Sequence, residues 1–318
     1  MTERSPAKMI SQGAVLSALF VLLVLVGEYI PALSVIAHLV WPIPLVVMVL
    51  RHGGRAGLLM FAASMALLGA ILGPSLGLAA AGASGLLGVA MGLCLARRFH
   101  PVLTLGVSTV AVALGTVLQF VLLALLMDTN IVAELVTLIS QVYTQAADTT
   151  AKLGGAPGQV QMLRDLAAAM PGLMLQLIPF MLVGGALSAA FFHYITVEQV
   201  LRRLGIKVQP FPSFGRWQFP QEFILGYLAA AGLLYAHQRF AWPGAEAAGL
   251  NLYAATTWLF SLQALSVAVH FIKRTQYRLF LYAMLIMSLP TLLQFAWMIG
   301  MLDSIFDWRR LRVPAAAS

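Results

Sequence analysis

The sequence predicts an all-α fold: a polytopic transmembrane helix bundle of about nine helices, with its N-terminus on the cytoplasmic side. Three observations carry this. First, the 318 residues are 61% hydrophobic and 9% charged, whereas soluble domains carry about 25% charged residues. No water-soluble core absorbs that much apolar surface, so the solvent is lipid. Second, the apolar residues fall into runs long enough to cross a bilayer, and a lone segment in lipid satisfies its own backbone only as a helix. Third, the basic residues stand at the ends of those runs with a bias to one side, as the positive-inside rule requires.

The first helix is expected at Met9–Tyr29. Its basic start and apolar run also fit a cleaved signal peptide. The run from Met9 to Gly27 is long enough to span and long for a signal segment, which favours an uncleaved helix. The second helix, Leu33–Leu50, is broken by "WPIP", and the third and fourth follow at Ala56–Leu72 and Ser75–Ala96. The fifth is Pro101–Met127 and the sixth Leu166–Tyr194. Three more, Pro220–Ala236, Gly249–Phe271 and Leu279–Leu302, complete the count. The chain therefore divides into a six-helix membrane bundle (1–195), a cytoplasmic piece (196–219) and a three-helix extension with a charged tail (220–318).

Two connecting segments carry patterns of their own. Between Asp128 and Asp165, on the predicted outside, Ile131, Leu135, Leu138 and Val142 recur at helical spacing among polar residues. This reads as an amphipathic helix lying on the membrane or over the bundle as a lid, ended by "GGAPG". In the cytoplasmic piece, "TVEQVLRRLGI" reads as a short helix with Thr196 as N-cap and Gly205 at its end. "QPFPSFGRWQFPQE" follows. Its Pro210, Pro212 and Pro220 keep the chain extended, with Pro220 in the first turn of the next helix. Its aromatic residues, Trp217 among them, suit the headgroup level, with Arg216 reaching lipid phosphate. An interfacial strap is favoured over a proline-rich recognition motif.

Charge tests the topology. With the N-terminus inside, Arg4, Lys8, Arg51, Arg55, Arg97, Arg98, Arg202, Arg203, Lys207, Arg216, Lys273, Arg274 and Arg278 fall on the cytoplasmic side. Lys152, Arg164 and Arg239 fall outside. Arg309, Arg310 and Arg312 also fall outside after nine spans, against the rule; a re-entrant segment or a further helix would bring them in. The net charge of +8 is thus a topological signal, and nucleic acid is not an expected partner.

Several chemistries find no support. The single cysteine, Cys94, excludes a disulfide framework, a thiolate cluster and a redox pair. No GxxxxGK[ST], HExxH or GxSxG motif is present. None of the acidic residues lies in the middle of a predicted span, which argues against an ion-coupled pump. Asp303 and Asp307, on one expected helical face, read as a helix end salt-bridged by the following arginines rather than as a metal site. No cofactor, no metal and no enzymatic activity are expected.

Two features remain as candidate sites. Pro42 and Pro44 cannot both sit in a regular helix interior without freeing carbonyls, and freed carbonyls in lipid need partners or a water-lined cavity. A plain kink is one reading; the other is an outward-facing ligand pocket formed by Glu28, His38, Trp41, Pro42 and Pro44. Small residues four apart line the first helix (Gly13, Ser17; Ala14, Ala18) and the fourth (Ala81, Gly85; Gly88, Gly92). Such spacing lets helix backbones approach, either inside the bundle or against a partner protein docked on the first helix.

"WPIPLVVMVLRHGGRAG", "PFPSFGRWQFP" and "GMLDSIFDWR" together resemble the YybS-like family of bacterial multispanning membrane proteins. The first six helices are also distantly similar to the substrate-binding S component of energy-coupling-factor transporters. That likeness implies a partner docked on Gly13, Ala14, Ser17 and Ala18, and a ligand bound without an ATPase of the chain's own. The three further helices depart from S components. The expected role is a small-molecule-binding or transport-associated subunit of a bacterial inner membrane, with a non-transporting scaffold or assembly factor as the alternative. An Arg-to-Lys ratio of 15 to 4 fits a GC-rich bacterial genome.

Overall fold

The computed structural model describes residues 6–127 and 130–311. Arg4, Asp128 and Arg312 lie outside the described residues, as does the side chain of Ala81. Every regular element described is helical, apart from turns. The α-helices are α1 (Pro6–Tyr29), α2 (Pro31–Val40), α3 (Ile43–His52), α4 (Gly54–Leu72), α5 (Pro74–Ala96) and α6 (Pro101–Met127). They continue with α7 (Ile131–Lys152), α8 (Pro157–Arg203), α9 (Phe223–Phe240), α10 (Ala245–Ile272) and α11 (Arg278–Phe306). Among the described residues, six segments are long and apolar enough to cross a membrane: α1, α2 with α3, α4, α6, α8 and α10.

Eleven α-helices among the described residues, rather than about nine, arise from two differences. The expected second helix is two, because the chain turns at Trp41–Pro42 before α3 restarts. The expected external connector contains a full helix, α7. Its N-terminus is capped by the Asn130 side chain, which accepts the Ala133 N–H at 3.0 Å. Its end comes where Gly154 takes a φ of +75°.

α8 corrects a third expectation. It runs 47 residues from Pro157 to Arg203 and absorbs both the end of the external segment and the supposed short capped helix. Thr196 is no N-cap; its hydroxyl donates to Phe192 O inside the helix at 2.8 Å. A hydrophobic run ends where charges begin, but a helix does not have to stop at the membrane surface. Gly205 does end it, with a φ of +75°. Pro220 stands ahead of a turn, and α9 begins three residues later at Phe223. Asp307 lies beyond α11 at a φ of +44°, so Asp303 and Asp307 do not share a helical face.

The chain forms two compact units, one of residues 6–175 and 181–211, the other of residues 176–180 and 212–311. In the first, α3 is the centre: Pro44 to Val49 are all buried. Leu45 and Met48 pack with Phe20 and Val24 of α1 and Met60 and Leu68 of α4. Val46 and Val47 pack with Leu87 and Met91 of α5 and with Tyr194, Val197 and Leu201 of α8. Gly88 and Gly92 allow this: a Cβ at either would come within 2.8 Å of Leu45 or Val49. The small-residue face of α5 is therefore spent on internal packing.

In the second unit, α10 packs against α9 and α11. Phe260 is fully buried. Tyr227 of α9 stacks on Trp297 of α11 at 5.1 Å. Gly300 brings α11 so close to α10 that a Cβ there would collide with the Phe260 carbonyl.

Candidate functional site

The kink between α2 and α3 is packed, not open. Trp41, Pro42 and Pro44 are buried. The Trp41 indole lies 4.1 Å from the His38 ring, and its buried Nε1–H finds no hydrogen-bond partner. His38 Nδ1 lies 2.8 Å from Ser34 O, one turn back in α2. His193 of α8 places Nδ1 3.3 Å from Leu39 O, beside the break. Glu28 is exposed on the last turn of α1. The structure thus brings His38, Trp41, Pro42 and Pro44 together and leaves Glu28 at the surface.

The two small-residue rows of α1 have different fates. Gly13 faces Met48, and the buried Ser17 hydroxyl lies 2.8 Å from that of Ser64, which itself donates to Met60 O. Ala14 and Ala18 are exposed, beside exposed Ile10, Val15 and Leu22.

The strap is held at several points. In the first unit, Tyr194 donates its hydroxyl proton to Gln209 O at 2.8 Å, and Glu198 accepts the Phe211 N–H at 3.2 Å. In the second unit, Phe214–Arg216 form one 3-10 turn, seated on the last third of α10. Ser266 donates to Phe214 O at 2.6 Å, His270 Nδ1 lies 3.1 Å from Gly215 O, and Gln263 accepts the Phe219 N–H at 3.0 Å. Pro210, Pro212, Pro220 and Arg216 are exposed, while Trp217 is half-buried and donates Nε1–H to Pro212 O at 3.0 Å.

What fastens this turn is Arg309, a residue the charge rule left on the wrong side. Its guanidinium and the Asp303 carboxylate are both fully buried and pair at 2.8 Å. The same guanidinium donates to Gly215 O at 3.2 Å, Ser266 Oγ at 2.7 Å and Trp217 O at 2.7 Å. Asp303 also accepts from Gln263 Nε2 at 2.8 Å. Arginine's planar fork is suited to such a fan of acceptors, which a lysine ammonium does not match. Asp307 accepts from Gln218 Nε2 at 2.9 Å and from Leu311 N at 3.0 Å, tying the tail to the strap a second time. Arg309 therefore lies at the end of α10 that carries His270, Lys273 and Arg274, on the strap's side of the second unit.

A second polar cluster sits at the other end of α10, and the sequence reading missed it. Pro179 has no N–H to give, so Leu175 O lacks its usual ladder donor, and the Asn251 side chain of α10 reaches the adjoining turn of α8. Its Oδ1 accepts the Phe180 N–H at 2.8 Å, and its Nδ2 donates to Gln176 O at 2.6 Å and to Ala247 O at 2.7 Å. Beside it, Gln176 Nε2 donates to Glu246 Oε2 at 3.3 Å, and His237 Nε2 of α9 lies 3.5 Å from the same oxygen. Glu246 stands in the first turn of α10, where the helix N-terminus favours its charge. Gln176 Oε1 and His237 Nδ1 are buried atoms without a partner. A scan for charged residues in mid-span passes over this place. Counting amide side chains, Gln176, Asn251 and Gln263, inside apolar runs would have found both clusters.

Comparison with known proteins fits this architecture. The family described as "Predicted membrane protein (DUF2232)" matches residues 18–304. The "Uncharacterized protein YybS" of Bacillus subtilis (strain 168) is 28% identical over 219 residues, covering 68% of this chain and 69% of the relative. No solved structure matches the chain.

Proposed function

We infer the function from one premise: the chain belongs to the DUF2232 family of predicted membrane proteins, and is a multispanning membrane protein. We propose that it is a small-molecule-binding, transport-associated subunit of a bacterial inner membrane, without an ATPase of its own. One observation carries this reading: beside Pro179, where α8 lacks one backbone N–H, the side chains of Asn251, Gln176, Glu246 and His237 converge. Polar side chains within or at the ends of membrane spans are costly to leave unpaired, and such groups mark ligand sites. The unpaired Trp41 Nε1–H beside His38 is a second donor that would need a ligand acceptor, in a kink that is packed as it stands.

The test is ligand retention. The full chain, purified in mild detergent, is examined by native mass spectrometry and by thermal unfolding against a panel of vitamins, amines, nucleobases and organic acids. A retained small molecule, or stabilisation by one class, is the expected result. No retained ligand and no stabilisation across the panel overturns the reading.

The alternative, a non-transporting scaffold or assembly factor, is supported by the exposed Ala14 and Ala18 on α1. A small-residue row facing outward suits a partner helix. On this reading, Ala14→Leu with Ala18→Leu abolishes a crosslinked complex in membranes; a complex that survives the pair removes α1 as the docking face.

A further inference from the structure

We propose that the cluster at the N-terminal end of α10 is a binding site for a primary ammonium group, recognised by Gln176, His237 and Glu246. This rests on the binding-subunit reading above and names its ligand class.

The argument is an inventory of what each side chain has left to give. The Gln176 amide spends Nε2 on Glu246 Oε2, and its Oε1, an acceptor, is buried and unused. His237 turns Nε2 towards the same carboxylate oxygen at 3.5 Å, so in the neutral ring the proton sits on Nε2 and Nδ1 is an acceptor. His237 Nδ1 is also buried and unused. Glu246 brings a carboxylate, which only accepts. Asn251 is spent: its amide bonds the α8 backbone at Phe180 N–H and Gln176 O. In doing so it fixes the backbone that carries Gln176. Asn251 is therefore a positioning residue, not a contact.

The groups left over are thus two neutral acceptors and one anion. Leaving buried acceptors unmade is costly, and a ligand rich in N–H donors removes that cost. A primary ammonium presents three N–H donors and a positive charge, matching two acceptors and a carboxylate. An anion would face Glu246, and a neutral carbonyl ligand would bring acceptors to acceptors. Among the described residues no group of three or more His, Cys, Asp or Glu side chains stands together, so a tightly held metal ion lacks its usual ligand set. The cluster is reachable from solvent: the side chains of His237 and Glu246 are 42% and 45% exposed, next to the short α9–α10 connection at 241–244.

The test uses the full chain in nanodiscs of zwitterionic lipid, with ionic strength held constant, and thermal unfolding and calorimetry as readouts. The probes are ethylammonium, the diamine putrescine, and tetramethylammonium, which has the charge but no N–H. Ethylammonium and putrescine are expected to stabilise the chain, and tetramethylammonium is not. Glu246→Gln keeps the shape and removes the charge; it is expected to weaken ethylammonium binding about tenfold or more. Gln176→Leu is expected to weaken it as well. His237→Ala, at a half-exposed position, supplies a variant whose folding is not at stake, and unliganded melting controls for the other two.

Equal stabilisation by tetramethylammonium overturns the donor requirement. Amine binding unchanged in all three variants places the amine elsewhere and overturns the site. Binding of a neutral or anionic compound, with none of the amines, overturns this inference and leaves the binding-subunit reading standing. No binding of any compound removes both.

Discussion

Replacing Arg309 by Ala leaves the Asp303 carboxylate buried without its cation and releases the carbonyls of Gly215 and Trp217. Breaking a buried pair from one side costs about 3–5 kcal/mol, because the charge left behind has neither water nor partner. Arg309→Ala should therefore lower the thermal unfolding midpoint in detergent sharply. Arg309→Lys should recover only part of the loss, since one ammonium cannot reach Gly215 O, Trp217 O, Ser266 Oγ and Asp303 together. The double variant Arg309→Met, Asp303→Leu should be less destabilised than the sum of the singles, the signature of a coupled pair. Trypsin cleavage after the exposed Arg216 gives an independent reading: it should accelerate in Arg309→Ala, and unchanged strap proteolysis would count against the tie.

At the scale of elements, two sites separate packing from propensity. Gly300→Ala puts a methyl group into the Phe260 carbonyl and should cost about 1–3 kcal/mol as overpacking. Ser17→Ala removes one interhelical hydroxyl contact while Ser64 keeps its bond to Met60 O, and should cost only about 0.6 kcal/mol. Equal melting losses at the two positions would mean that the close crossing of α10 and α11 is not what holds them. The turn of α8 around Pro179 gives a second comparison. Asn251→Ala leaves the Phe180 N–H and Gln176 O without their partner, at about 1–3 kcal/mol. Pro179→Ala removes the ring that crowds the Leu175 carbonyl and restores its N–H donor, so Phe180 N–H and Gln176 O can pair with each other and Asn251→Ala should become less costly in that background; additive losses in the double variant would show that Pro179 is not what makes this turn depend on Asn251. These same elements show what a sequence discloses. Pro42 and Pro44 announce the break between α2 and α3, and Gly154 and Gly205 announce helix ends, because each acts on its own backbone. The length of α8 is hidden, since Thr196–Arg203 looks like a fresh helix once the apolar run has ended. The clasp is hidden more deeply: Arg309 meets Gly215 and Ser266 across 94 and 43 residues of chain. Asn251 carries no charge, so a search for intramembrane ions does not stop at it.

For the molecule as a whole, the two polar clusters mark opposite ends of α10. Glu246 and Ser266 lie twenty residues apart, about 30 Å along a helix, the thickness of a hydrocarbon core. The clasp puts Arg309 and the strap at one end, so Arg309 and the neighbouring Arg310, which violate the charge rule in a nine-span count, belong with Arg216, Lys273 and Arg274. If that end is the cytoplasmic one, the positive-inside bias extends to the described part of the tail. Because Cys94 is the single cysteine, a Cys94→Ala background allows the test by surface labelling. Ser213→Cys on the strap, Arg310→Cys on the tail and Trp242→Cys in the α9–α10 connection are all exposed positions. A membrane-impermeant maleimide should label Ser213→Cys and Arg310→Cys only in inverted vesicles, and Trp242→Cys only in intact spheroplasts. Labelling of strap and tail from opposite faces would mean that the Arg309–Asp303 tie does not form in the membrane. Labelling of all three from one face would mean that α10 does not cross it, and an outward position for His237 and Glu246 would go with it.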